Sequence, residues 1–157
     1  MKRRRKPSRP SARKRRRRRV ARTAPPPPQP TEAERRLLAL ALELSALEGD
    51  ALPRALDLLA DAYGPEAPLP SALHQAWLAG RGNKTAILAL AWAREQVRLA
   101  LEEILGAAPL GTRASLGVPA ETRAWIVLAA CEALAHEPAS AVPDRVRALA
   151  ELTRPPR

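Results

Sequence analysis

Residues 31–49 read Thr-Glu-Ala-Glu-Arg-Arg-Leu-Leu-Ala-Leu-Ala-Leu-Glu-Leu-Ser-Ala-Leu-Glu-Gly, and this stretch decides the fold class. Thr31-Glu-Ala-Glu34 is a capping box: the Thr31 hydroxyl can take the amide of Glu34, whose carboxylate reaches back. Leu37, Leu40, Ala41, Leu44 and Leu47 then recur with the period of a helix, and Gly49 is expected to stop it in a left-handed conformation. The same punctuation repeats downstream. Asp50 is placed to cap a second helix over 51–63, ended by Gly64-Pro65. A proline-broken loop runs to Pro70, and Ser71 is expected to cap a short third helix over 72–79. After Gly80-Arg-Gly82, Asn83 caps a long helix from Lys84 to about Leu105. A loop over 106–118 leads to Pro119, which suits the first turn of a helix that Pro138 terminates. A last short helix covers roughly 143–153. No stretch alternates with period two, and aromatic residues are too scarce, at 3%, for a sheet. The predicted class is all-α.

Two of these helices lack a polar face over part of their length. Ala86-Ile-Leu-Ala-Leu-Ala-Trp-Ala93 is apolar all round, and a polar stripe through Arg94, Glu95, Arg98 and Glu102 begins only after it. Ala124-Trp-Ile-Val-Leu-Ala-Ala-Cys131 is again apolar on every side. Such helices must be covered on all sides, and one small domain encloses two of them with difficulty. A second copy of the chain would cover the excess, which makes a homodimer the expected state and Trp125, Ile126, Leu128 and Ala129 its expected interface. A central core helix in a monomer is the competing reading.

Charge divides the chain sharply. Residues 1–23 carry 14 Lys/Arg and no acid, namely Lys2, Arg3, Arg4, Arg5, Lys6 and Arg9, then Arg13, Lys14, Arg15, Arg16, Arg17, Arg18, Arg19 and Arg22. Residues 31–157 hold the other 13 against all 16 Asp/Glu, a net of −3. The overall +11 therefore belongs to a mildly acidic body with a polycation attached. Like charges with nothing to bury cannot fold alone, so residues 1–30 are expected to be a disordered arm, with Pro25–Pro30 as a polyproline II spacer. Arms of this kind bind polyanions, DNA first and RNA as the alternative. The arm has no apolar or aromatic anchor, which argues against a membrane partner.

Other chemistry is poorly served. Gly80-Arg-Gly-Asn-Lys84-Thr85 lacks the glycine before lysine, and the preceding strand, that a phosphate-binding loop needs. Cys131, Glu132 and His136 fall short of a metal site, since Cys131 and His136 diverge on a helix and His74 is the only other histidine. No nucleophile with its base and no paired carboxylates are evident, so neither an enzyme nor a cofactor is expected. A single cysteine excludes an internal disulfide and suits a reducing compartment. The apolar runs are far short of the roughly 20 residues that span a bilayer. With no Phe and abundant Ala, Leu, Arg and Pro, a high-GC bacterial coding sequence is expected, and a cytoplasmic, nucleoid-associated location.

The first three helices resemble the tetracycline-repressor (TetR) family of bacterial regulators. Leu37-Leu38, Leu40-Ala41, Leu44-Ser45 and Gly49 stand at the spacing of the family's first helix, which follows a basic arm. Leu59-Ala-Asp-Ala-Tyr-Gly64 is similar to its second-helix signature, and Leu73-His-Gln-Ala-Trp77 followed by Lys84 to its recognition helix and the long helix beyond. Gly111-Thr-Arg-Ala-Ser-Leu116 and the helix at 124–136 resemble its glycine turn and dimer-side helix. The resemblance implies a helix-turn-helix-like DNA-binding unit over 31–83 and a helical dimerisation domain over 84–157, with room for a small apolar effector. It assigns base reading to Ser71, His74 and Gln75 and a phosphate to Lys84, with Leu73, Ala76 and Trp77 packed inward. Residues 71–79 contain no Lys or Arg. Two other functions fit the same composition: a sequence-non-specific nucleic-acid-binding or assembly protein, and a helical ligand-binding or structural domain whose basic tail has no function.

Overall fold

The structure, a computed structural model, describes residues 29–107 and 118–153. The basic arm and most of its proline spacer lie outside the described residues, as does the Gly111–Leu116 turn. Among the described residues every regular element is helical. In chain order these are α1 (Glu32–Ser45), α2 (Ala51–Tyr63), α3 (Pro68–Ala79), α4 (Lys84–Ala107), α5 (Ala120–Ala133) and α6 (Val142–Thr153). Two single 3-10 turns, Leu134–His136 and Ala139–Ala141, join α5 to α6.

The helix starts largely follow the polar punctuation. Thr31 Oγ1 accepts the Glu34 amide at 3.2 Å, as the first half of a capping box requires, and donates its own proton to the Glu34 carboxylate at 2.9 Å, so the carboxylate returns to the hydroxyl and not to the Thr31 amide. Asn83 Oδ1 accepts the Ala86 amide at 3.2 Å at the head of α4. Two boundaries and one capping bond in the first three helices differ from expectation. α1 stops at Ser45, where the Ala46 amide closes on the Leu42 and Glu43 carbonyls, and Gly49 (φ +72°) belongs to the link that follows. Asp50 stands at the N-cap of α2 without a side-chain capping bond. α3 starts a turn early, at Pro68, because proline needs no amide acceptor in a first turn. Ser71 is thus inside the helix, its hydroxyl donating to the Pro68 carbonyl at 3.1 Å, and is not the cap.

α4 is the central helix, flanked by α1 and α5. α2 packs on α5 and α6, and α3 on α1 and α2. One apolar core runs through both halves of the chain, from Ala33 and Leu37 of α1 through Leu56 and Leu59 of α2 to Val97 and Leu101 of α4 and Leu128 of α5. Alanines at 33, 41, 93 and 100 are buried where α1 meets α4, and their small side chains allow the two backbones to approach. α6 buries no residue completely; Val146, Leu149 and Ala150 rest on the core from outside.

The two apolar helices are covered on one side only. α4 buries Leu90, Ala93, Val97 and Leu101 but leaves Leu88, Trp92 and Leu99 exposed. α5 buries Ala124, Val127, Leu128 and Cys131 and leaves Trp125 and Ile126 exposed, with Ala129 partly covered. This corrects the expected interface at one position. Leu128 is wholly inside the core, because its place four residues after Ala124 and three before Cys131 puts it on the inner stripe. The expected polar stripe also changes character. Arg98 is buried, its charge met by Glu95 and Glu102 at 2.7 Å each.

Candidate nucleic-acid interface

The corner between α3 and α4 collects the exposed polar residues that sequence assigned to recognition. Leu69 is buried, and Leu73 and Ala76 are partly buried, which fixes the inner side of α3. Their spacing turns Ser71, His74, Gln75 and Leu78 to the surface as one stripe. At the end of α3 the Gly80 amide closes on the Ala76 carbonyl at 2.9 Å. A Cβ at Gly80 would stand 2.8 Å from Cδ1 of Ile87, so a larger residue in this turn would make the Ile87 side chain shift. The Asn83 amide donates to the Gly80 carbonyl at 2.8 Å and completes the tight turn, with Gly82 at φ +84° between them. Arg81, Asn83, Lys84 and Thr85 are all exposed on this corner.

The segment that forms it carries charge of one sign only. No Asp or Glu lies between Glu66 and Glu95. Arg81 and Lys84, like Arg54 and Arg123, make no ion pair among the described residues, whereas Arg35, Arg36, Arg94, Arg98, Arg145 and Arg147 are each paired with a carboxylate. The amide end of α4 adds partial positive charge at the same place. The corner can therefore accept phosphate oxygens, and the stripe beside it offers an imidazole and a carboxamide with both donor and acceptor atoms.

Ser71, His74 and Gln75 share the exposed stripe of α3 and Lys84 is exposed at the first residue of α4, although the Ser71 hydroxyl is engaged with its own backbone. Trp77 is not packed inward. It is 45% exposed, because Leu69, Leu73 and Ala76 already fill the narrow inner stripe that α3 presents. Arg81 was not among the expected contacts. Its position between two glycines reads as a chain break, and the signal that would have found it is the long acid-free interval. Lys2 through Arg22 lie outside the described residues.

A second polar group sits partly buried between α2, α4 and α5. Arg94 reaches from α4 to Glu132 on α5, and Tyr63 of α2 is buried against them. Burial pushes the Tyr63 hydroxyl well above its ordinary value, with the Glu132 carboxylate adding to the shift. Burial likewise pushes the Cys131 thiol up to about 12, so it stays neutral and is a poor nucleophile. Among the described residues no three His, Cys, Asp or Glu side chains converge as a metal site would require. No helix of the described residues is long and apolar enough to cross a membrane. An open cleft of about 640 Å³ lies where α1, α2, α4 and α6 meet, walled by Leu47, Leu52, Leu56 and Ile104, with Asp50 and Glu103 at its lining.

No protein-family model, curated protein or solved structure matches this chain.

Proposed function

We propose that this chain is a DNA-binding transcriptional regulator of TetR-like helix-turn-helix design, probed against its site by α3 and held there by its basic arm. One segregation of charge carries the reading. Fourteen cations stand without an acid in residues 1–23, and residues 67–94, which supply the exposed α3–α4 corner, also contain no acid in a body whose net charge is negative. Lys and Arg of the arm neutralise phosphates and release counterions, a contribution blind to sequence. Arginines in an extended arm can also enter a narrow minor groove. Base reading then falls to His74 and Gln75, with Arg81 and Lys84 on flanking phosphates and Ser71 at the edge. A small apolar effector would have the α1–α2–α4–α6 cleft as its place, and the bacterial nucleoid is the compartment this activity requires.

Fluorescence anisotropy with a labelled duplex across a salt series tests the reading. With some 6–10 arm charges on phosphates, log K falls with log salt at a slope of roughly −5 to −9. Deleting residues 1–24 removes most binding, since the remaining body repels DNA. Undiminished binding by the truncated protein would overturn the role of the arm.

The lack of Lys and Arg in α3 favours a second reading, sequence-non-specific binding to DNA or RNA in an assembly role. Equal affinity for unrelated sequences at every salt concentration decides for it.

A further inference from the structure

All three tryptophans of this chain stand at its surface. Trp77 is 45% exposed, Trp92 58% and Trp125 55%, while the core is built mainly from leucine and alanine around one buried tyrosine, Tyr63. In a chain with no Phe, the largest aromatic side chains thus forgo much of the burial that gives an indole its worth in a core. Their surroundings differ. On a helix the neighbours of a side chain lie three and four residues away. Trp92 has Glu95 at one of those places, and Trp125 has Glu121. Trp77 has His74 before it and Arg81 after it, with Leu73 and Gly80 at the other two places and no acid at any of them. The helical path holds as far as Arg81: Gly80 keeps a right-handed helical backbone, and the Arg81 amide donates to the Leu78 carbonyl at 3.3 Å. His74 and Arg81 therefore flank the indole on one side of α3, each about one turn away. Both are exposed, and Arg81 has no carboxylate partner among the described residues.

We infer that Trp77, flanked by His74 and Arg81, is a stacking site for an unpaired base of single-stranded DNA, with Arg81 on the adjoining phosphate. Two features select this occupant. The first is the pairing of ring and charge. A flat indole with an imidazole on one side and a free guanidinium on the other offers a base its π-face and a phosphate its counterion, the combination that single-strand binders use. Residues 67–94 hold no acid to repel the backbone. The second is geometry of the ligand. In a duplex the flat faces of the bases are covered by their neighbours, and only a single strand leaves them open for an indole to lie on. Among single strands the 2′-hydroxyl marks RNA, and the groups that would hold it are turned away or engaged. Gln75 is about half a turn round the helix from Trp77, and the Ser71 hydroxyl is on the Pro68 carbonyl. DNA is therefore the strand the site fits. The inference goes beyond the regulator reading and does not need it, because Trp77 is not among the residues placed on duplex DNA.

Tryptophan fluorescence on the full chain tests it. In the Trp92→Phe/Trp125→Phe protein Trp77 is the one remaining indole. An oligothymidylate of about 16 nucleotides is expected to quench its emission, and a duplex of the same length to leave it nearly unchanged. Anisotropy with labelled strands, at salt high enough to screen much of the arm's contribution, gives the affinities. Trp77→Ala should weaken single-strand binding about tenfold or more, while duplex binding changes by less than about twofold. Trp77→Tyr should recover most of the loss, because a phenol ring also stacks. Trp92→Ala, at an exposed indole beside Glu95, should leave single-strand binding unchanged. Helical circular dichroism identical to wild type shows that Trp77→Ala is folded, and the quenching measurement, which keeps Trp77, decides whether or not it is. Emission unmoved by oligothymidylate, a Trp77→Ala loss shared equally by strand and duplex, or a loss that Trp92→Ala matches would each overturn the inference. Oligouridylate bound more tightly than oligothymidylate through Trp77 would overturn the assignment to DNA. The regulator reading fails by a different measurement, the ratio of affinities for selected and random duplexes, which none of these outcomes uses.

Discussion

Arg94 and Glu132, 38 residues apart in sequence, meet as a two-pronged ion pair: Nε to Oε1 at 2.6 Å and Nη2 to Oε2 at 2.8 Å. The planar guanidinium matches the planar carboxylate, so the pair sets the rotation and height of α5 against α4 as well as attracting it. Both side chains are about 30% exposed, which places the contact between a screened surface bridge and a buried one. The hydrogen bond from Arg94 to Glu132 accordingly holds the Arg94 guanidinium above its ordinary value.

Removing either partner should therefore cost more than a surface pair does. Arg94→Ala and Glu132→Ala are each expected to lower stability by about 1–2 kcal/mol in urea unfolding. A double-mutant cycle should return a coupling of about 1 kcal/mol. Arg94→Lys should recover little, because an ammonium cannot make both bonds of the fork. Additive single losses would show that the pair carries no energy of its own.

Tyr63 lies beside this pair with its hydroxyl buried and without a hydrogen-bond partner among the described residues. An unsatisfied buried hydroxyl keeps its desolvation cost and returns nothing. Tyr63→Phe is thus expected to leave stability unchanged or raise it by up to about 1 kcal/mol. A thermal melt showing clear destabilisation would mean that the hydroxyl has a partner in solution.

Acid should loosen α4 through Arg98. The hydrogen bond from Arg98, with its positive charge, holds the Glu95 carboxyl below its ordinary range. A folded-state value below the unfolded one means that the unfolded chain takes the proton first. The pair's contribution is complete above the ordinary carboxylate range and drains away as pH falls through the depressed value, leaving a buried guanidinium less compensated. Urea midpoints measured between about pH 7 and pH 3 should fall, and Glu95→Gln should shallow that fall. Identical pH profiles for the two proteins would remove Glu95 from the account.

The helices were legible in the sequence because each is bounded by residues with a local reason to stop or start: Thr31, Asn83 and Gly80 act through bonds and space within a few positions. Boundaries set by what comes next in space were less legible. Pro68 suits a first turn locally, but a proline-broken loop reads the same way, and what separates the two is Leu69 buried in the core. The same limit governs the sides of α4 and α5. A helix apolar all round shows no preferred face, so Leu128 and Ile126 look alike in sequence although one is buried and the other half-exposed. At the candidate site the polar residues of α3 could be read from its period, whereas Arg81 required the turn that joins the helices.

The sharpest prediction separates reading from gripping at the α3–α4 corner. A run of arginines cannot read base edges at many positions, so a preferred site requires α3 to enter the major groove. Gln75 is exposed on its outer stripe, and glutamine can pair bidentately with adenine, worth about 1–3 kcal/mol of discrimination. Arg81 and Lys84, on the turn and first residue of α4, are placed for phosphates. Gln75→Ala is therefore expected to relax the preference for a selected site over random DNA by roughly tenfold, with the salt slope unchanged. Arg81→Ala should do the opposite: weaken both complexes alike and make the slope shallower by about 1. A dimer reading in this way should select two half-sites about one helical turn apart. The measurement is a ratio of affinities for the selected and random duplexes at several salt concentrations. If Gln75→Ala keeps the wild-type ratio while Arg81→Ala still lowers the slope, the corner grips phosphate without reading bases, and the non-specific function stands in place of the regulator.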